Sequence, residues 1–146
     1  MIILLVTLSF LFMEFVAWSN HKYVMHGFLW SLHRDHHVTD IADKPVLQKN
    51  DFFFIIYALP AIVLIIAGLS SGNHYLTAVG GGITLYGFTY FMLHDVVIHR
   101  RLPILRNFSN SYIRALVKAH EGHHKPSNLN DFRCYGLLVF PLRYFK

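Results

Sequence analysis

Residues Phe52 to Leu69 read FFFIIYALPAIVLIIAGL, a run without one charged side chain. As a helix rising about 1.5 Å per residue it would span about 27 Å, close to the roughly 30 Å hydrocarbon core of a bilayer. Two further runs, Ile2 to Trp18 and Tyr75 to Leu93, have a similar length. Composition agrees: 54% of the chain is hydrophobic and only 14% charged, against roughly a quarter charged in a typical soluble domain. The expected fold is all-α, a single integral membrane domain over residues 1–146 with about three transmembrane helices.

The flanks of these runs support crossing helices over buried soluble ones. Ser70, Ser71, Gly72, Asn73 and His74 form a tight uncharged link between the second and third runs. Trp18, Tyr23 and Tyr75 stand where aromatic anchors meet lipid headgroups. All thirteen Lys and Arg fall either between Lys22 and Lys49 or between Arg100 and Lys146. Residues 20–51 and 94–146 therefore emerge on one side, which the positive-inside tendency makes the cytoplasm. The run Leu137 to Phe145, interrupted by Pro141 and Arg143, is expected to be a fourth, interfacial or re-entrant piece. Ala17 and Ser19 would suit a signal-peptide cleavage site. No Lys or Arg precedes the first run, however, and it reads more simply as an anchor. Glu14 lies inside that anchor, either near the interface or supporting what lies beyond it.

The net charge of +5 follows from membrane orientation and comes with no nucleic-acid-binding module. One cysteine, Cys134, excludes an internal disulfide and reads as a small buried hydrophobe in a reducing compartment.

Ten of the eleven histidines form four clusters: His21 and His26; His33, His36 and His37; His94 and His99; His120, His123 and His124. The strings are HKYVMH, HRDHH, HDVVIH and HEGHH, so pair and triplet alternate twice. In an α-helix, positions i, i+3 and i+4 share a face, and each triplet can aim three imidazoles one way. An i, i+5 pair is about 140° apart in an α-helix. Each pair is therefore expected to serve two metals or to straddle a helix end, with Gly27 a plausible terminator. Pro103 and Pro126 would close the later helices. His74, on the opposite side, reads as an ordinary surface histidine.

Topology puts all four clusters on one face at the membrane boundary, forming a cytoplasmic histidine-rich helical cap that a lipid can reach from the bilayer. Ten imidazoles suit two ions with about five each, leaving one octahedral position open on each. Imidazole binds iron, zinc, copper and nickel, so the ligands do not name the metal. Asp35, Asp95, Glu121 and Asp131 stand beside or near the clusters, where they would orient ring nitrogens or simply balance charge.

Two other chemistries fit parts of this pattern. His120 and His124 with Glu121 match HExxH, the ligand pair and general base of a zinc hydrolase. That reading leaves three clusters unexplained and puts Gly122 inside the required helix. Metal transport would need polar groups at mid-span, and the second and third runs carry no charged ones.

The stretches HKYVMHGFLWSLHRDHH (His21 to His37), GFTYFMLHDVVIHRRLP (Gly87 to Pro103), KAHEGHH (Lys118 to His124) and CYGLLVFPLRYF (Cys134 to Phe145) resemble the fatty acid hydroxylase superfamily. Within it they are most similar to the bacterial β-carotene 3-hydroxylases. The resemblance implies a bacterial inner-membrane monooxygenase with two iron ions, for which zinc could substitute in a purified sample. It also implies O2 and electrons from a ferredoxin or an NAD(P)H reductase system. By position, the ten cluster histidines carry over as metal ligands. The implied reaction hydroxylates ring carbon 3 of β-carotene, giving cryptoxanthin and then zeaxanthin; sterol or fatty-acyl hydroxylation or desaturation uses the same metal chemistry. Phe28, Trp30, Tyr90 and Phe91 flank the clusters as substrate-channel candidates, although such aromatics more often face lipid or pack.

Overall fold

The computed structural model describes residues 1–38, 47–105 and 109–146. Among these the chain is helical, without strands. Three helical stretches are long and apolar enough to cross a membrane: Ile2–Phe28, Lys49–Ser71 and His74–Ile98. Each runs past its apolar run, and the extensions matter. Helix α1 (Ile2–Asn20) continues into a π-helical segment, His21–Phe28. Helix α3 (Phe52–Ser71) is preceded by a 3-10 turn, Lys49–Asp51. Helix α4 (His74–Tyr90) continues into a second π-helical segment, Phe91–Ile98. The first histidine pair rides on the first π extension, and the second runs from His94 within the other to His99 at its cap.

Helix α4 packs against both α1 and α3, and small residues permit the approach. A Cβ added at Gly82 would stand 2.7 Å from Ser9 Cβ of α1, and one at Gly80 would stand 2.8 Å from Ile65 Cγ1 of α3. Close backbone approach of this kind is how helices associate where the solvent is itself apolar. The hairpin is capped on both sides. Gly72 takes the left-handed conformation (φ 66°) that ends α3, and Asn73 Oδ1 accepts from the N–H groups of Tyr75 and Leu76.

The outer faces of the spans expose large apolar side chains, Phe12, Leu59 and Leu69 among them. Water would oppose so much contiguous apolar surface, and lipid accepts it. Serine and threonine hydroxyls within the spans return to their own helix: Ser9 Oγ donates to Leu5 O at 2.7 Å and Thr84 Oγ1 to Gly80 O at 2.9 Å. Backbone and hydroxyl groups at this depth have no water to turn to. At the end of the first span Lys22 Nζ lies 4.8 Å from the Trp18 ring and 4.7 Å from Tyr23.

Beyond the spans, α2 (Trp30–Val38), α5 (Ser111–His124) and the short α6 (Leu129–Phe132) build the cap. Its apolar core joins Ile98, Ile113, Leu116 and Leu137. Residues 134–141 are irregular, and a 3-10 turn, Leu142–Phe145, follows. The C-terminal run is therefore no fourth crossing.

Candidate metal centre

Nine histidines gather into two groups, in each of which one nitrogen from every ring lies within 4.8 Å of the others. The first is His21, His26, His33, His37 and His123; the second is His36, His99, His120 and His124. The tenth, His94, lies against the second group, its ring 4.7 Å from His36, 4.6 Å from His99 and 4.8 Å from His120. The groups meet where His37 and His124 stack at 4.1 Å.

Two expectations from helical periodicity are corrected by this geometry. The i, i+5 pairs do not diverge as in an α-helix, because the i→i+5 hydrogen bonding of π-helical backbone widens the turn and brings positions i and i+5 nearer to one face; the second pair does straddle a helix end, with His99 at the cap. His21 and His26 accordingly share the first group, with rings 5.0 Å apart. Gly27 does depart from helical geometry (φ −107°, ψ −123°), where the chain turns toward α2. The triplets, in turn, do not act as units. His33 and His37 of α2 enter the first group and His36 the second; His120 and His124 of α5 enter the second and His123 the first. Each triplet lends its middle histidine to the other half, so the repeated pair and triplet make an interlocked, quasi-symmetric centre.

Hydrogen bonds at the backs of the rings decide which nitrogen faces inward. His21 Nδ1 donates to the carbonyl of Tyr135 at 2.9 Å and His123 Nδ1 to that of Phe132 at 2.7 Å. His33 Nδ1 meets Asn50 Oδ1 at 2.6 Å, and His36 Nδ1 meets Gln48 Oε1 at 3.4 Å. A neutral imidazole donating from Nδ1 presents a bare lone pair at Nε2. The Nε2 atoms of His21 and His123 nonetheless approach to 3.1 Å, those of His26 and His123 to 3.0 Å and those of His99 and His120 to 2.9 Å.

With their protons committed to carbonyls, His21 and His123 cannot hydrogen-bond to each other through Nε2, and two facing lone pairs repel. A cation between them removes the conflict. Two nitrogens each about 2.1 Å from one ion and at right angles lie about 3 Å apart. His124 Nε2 is buried without a hydrogen-bond partner among the described residues. Burial also holds the His33 and His123 rings down to about 4, and those of His36, His120 and His124 well below the usual imidazole range. Neutral, buried, convergent imidazoles are a donor set that fits metal ions.

The acids near the clusters separate into two kinds. Asp95 meets His94 Nδ1 at 3.2 Å and is itself held by Arg101, which also binds Asp51 at the head of α3. Asp35 instead accepts from the backbone N–H of Lys49 at 2.8 Å. Asp131 takes Ser127 Oγ, Asn128 Nδ2 and Tyr144 Oη. Glu121 is exposed. Sequence reading missed the ring partners Asn50 and Gln48, two neutral amides where the chain enters the second span.

An apolar cavity of about 410 Å³ lies among α1, α3 and α4, walled by residues such as Met13, Ala58, Tyr86 and Phe88. Toward the cap it ends at Asn50, Tyr90 and Asp95. Two of these are hydrogen-bonded to His33 and His94, and the Tyr90 ring packs on His94 at 4.8 Å. Of the four aromatics expected near substrate, Tyr90 and Phe91 line this cavity. Trp30 packs on His26 and His37 instead, and Phe28 is 78% exposed.

Membrane-length helices carrying two buried, histidine-only groups at one end define an integral membrane metalloprotein. Comparison with known proteins makes the class specific. The fatty acid hydroxylase family model matches residues 6–142. The β-carotene hydroxylase of Pantoea ananas is 35% identical over 138 residues, 94% of this chain and 77% of that protein. Those of Pseudescherichia vulneris and Paracoccus sp. (strain PC1) are 39% identical over 121 residues and 33% over 139, covering 83% and 94% of this chain and 66% and 83% of theirs. No solved structure matches the chain. The chain belongs to the fatty acid hydroxylase family, a family of non-haem di-iron oxygenases.

Proposed function

We propose that the chain hydroxylates ring carbon 3 of β-carotene, giving cryptoxanthin and then zeaxanthin. It would do so with two irons held by His21, His26, His33, His37 and His123 on one side and by His36, His94, His99, His120 and His124 on the other. The observation that carries this reading is the pairing of two convergent imidazole groups with an apolar cavity that reaches their hydrogen-bonding partners from membrane depth. The names of the bacterial relatives supply the substrate.

When bound, the irons supply reductive activation of O2: with two electrons and two protons, one oxygen atom enters the C–H bond and the other leaves as water. The chain's own residues do the rest. Asn50, Gln48, Asp95 and the carbonyls of Phe132 and Tyr135 hold the rings so that Nε2 faces inward. The cavity takes a hydrocarbon end group between α1, α3 and α4, fixing one unactivated C–H bond and keeping water away. Its volume falls within the roughly 300–1,000 Å³ typical of ligand pockets.

Electrons would come from a ferredoxin or an NAD(P)H-linked reductase. Exposed Arg34, Lys118 and Lys125 on the cap give an acidic donor a surface of opposite charge. The same cations favour a cap facing the cytoplasm from a bacterial inner membrane. A zinc hydrolase is disfavoured by Glu121, whose exposed side chain stands outside the histidine groups that a general base would have to reach.

The test is pigment analysis of β-carotene-accumulating cells that express the chain, beside a His36→Ala control and iron-depleted cells. Hydroxylated product that requires both iron and His36 is the expected result. Well-expressed protein that leaves β-carotene untouched but oxidises a sterol or acyl chain would overturn the substrate while keeping the chemistry.

A further inference from the structure

Glu14 is the one acidic residue in the apolar runs, and its carboxylate is occupied by backbone. Oε1 accepts from the N–H groups of Leu137 (3.0 Å), Leu138 (2.9 Å) and Val139 (3.0 Å), and Oε2 accepts from the Tyr86 hydroxyl at 2.7 Å. Residues 137–139 belong to no helix or strand, so their donors need an acceptor where water is scarce. The turn before them is shaped for this contact. A Cβ at Gly136 would run into the Val139 carbonyl and would stand 3.4 Å from Glu14 Oε1.

The irregular C-terminal segment carries more than its own fold. It leads back to the carbonyls of Tyr135 and Phe132, which accept from His21 and His123. The Tyr135 ring also packs edge-on to both, at 5.5 and 5.3 Å. Both histidines are in the first group. The second group is braced elsewhere, by Gln48 behind His36 and by Asp95 behind His94.

We infer that Glu14 is a positioning residue for the first histidine group: by anchoring Leu137–Val139 to the first span it fixes the two carbonyls that orient His21 and His123. The inference rests on the two-ion reading above and adds an asymmetry to it. Loss of the anchor loosens one ion and leaves the other.

The test uses the full chain, purified in detergent and loaded with iron, with release to a ferrous chelator followed by absorbance. Glu14→Leu should release half of its iron about 10- to 100-fold faster than the wild type, the range seen when a ligand's hydrogen-bond partner is lost. The other half keeps its rate. The fast half should be the ion that a His26→Ala protein lacks. Hydrogen exchange at the amides of Leu137, Leu138 and Val139 should quicken in the same variant.

Glu14→Gln keeps an acceptor oxygen and should show a smaller acceleration of the same half; it also serves if the Leu variant fails to insert. Unchanged release in both variants, or equal acceleration of both halves with loss of helix content, overturns the inference. A wild-type protein that never holds two ions overturns the two-ion reading instead, and amide exchange then judges the anchor alone.

Discussion

The backbone N–H of His99 donates to the carbonyl of His94, five residues back, at 2.9 Å. This bond closes one π turn, and its two ends are the two histidines of the HDVVIH string. The π geometry is therefore what makes an HxxxxH spacing useful: it sets both rings toward the second group, with centroids 4.6 Å apart. Isolated π segments inside α-helices are uncommon and collect at functional sites. The described residues contain two, each at the end of a membrane span: the first holds His21 and His26, and the second holds His94 and is capped by His99.

The register of that turn can be tested by moving the ring. Ile98 packs with Ile113, Leu116 and Leu137, in the apolar core of the cap. A histidine there would sit at the i+4 spacing that an α-helix favours, but among hydrocarbon side chains. His99→Ala should lower the iron content from two ions toward one, and adding Ile98→His should not restore it. Metal analysis of the two proteins decides the matter. Recovery of the second ion by Ile98→His would mean that the segment is α-helical when loaded.

Asn50 gives a second prediction. Its Oδ1 lies 2.6 Å from His33 Nδ1 and selects the tautomer that turns Nε2 toward the first group. Asn50→Leu removes the acceptor and should weaken metal affinity about 10- to 100-fold. Asn50→Asp keeps an acceptor oxygen and should stay much closer to the wild type. Competition with a chelator of known affinity measures both, and equal weakening in the two variants would assign the effect to packing.

These residues mark where sequence reading stops. The three spans were legible because an apolar run of bilayer length has few other uses, and the histidines because four matched clusters fall on one side of the membrane. Periodicity of 3.6 then misled at the next level. It predicts diverging pairs and unified triplets, whereas the chain uses π turns to converge the pairs and divides each triplet between groups. Ring partners were hidden for a different reason. Carbonyls such as those of Phe132 and Tyr135 belong to every residue type and leave no mark in sequence. Asn50 and Gln48 are neutral amides that lie 17 and 12 residues from the rings they touch. Glu14 was visible as an anomaly in an apolar run, but its backbone partners lie more than 120 residues away and its hydroxyl partner, Tyr86, 72 residues away.

The cavity supplies the last prediction. Asn50, Tyr90 and Asp95 line it at the cap end, so a ligand entering from the bilayer passes the walls formed by α1, α3 and α4 before it meets the hydrogen-bonding partners of the rings. Ala58 is one of those wall residues, on α3, and it bonds to no histidine. Ala58→Phe adds a ring inside a space of about 410 Å³ without touching the metal groups. Iron content should therefore be unchanged, while turnover of a long rigid hydrocarbon should fall about tenfold or more, an effect of about 1.4 kcal/mol on the barrier. A short substrate that needs less of the cavity should be less affected, because the lost space is remote from the reacting end. Assays of full-length and truncated carotenoid analogues, run beside metal analysis, separate the possibilities. An unchanged rate on the long substrate would place its route outside this cavity, along the lipid-facing surface of the cap.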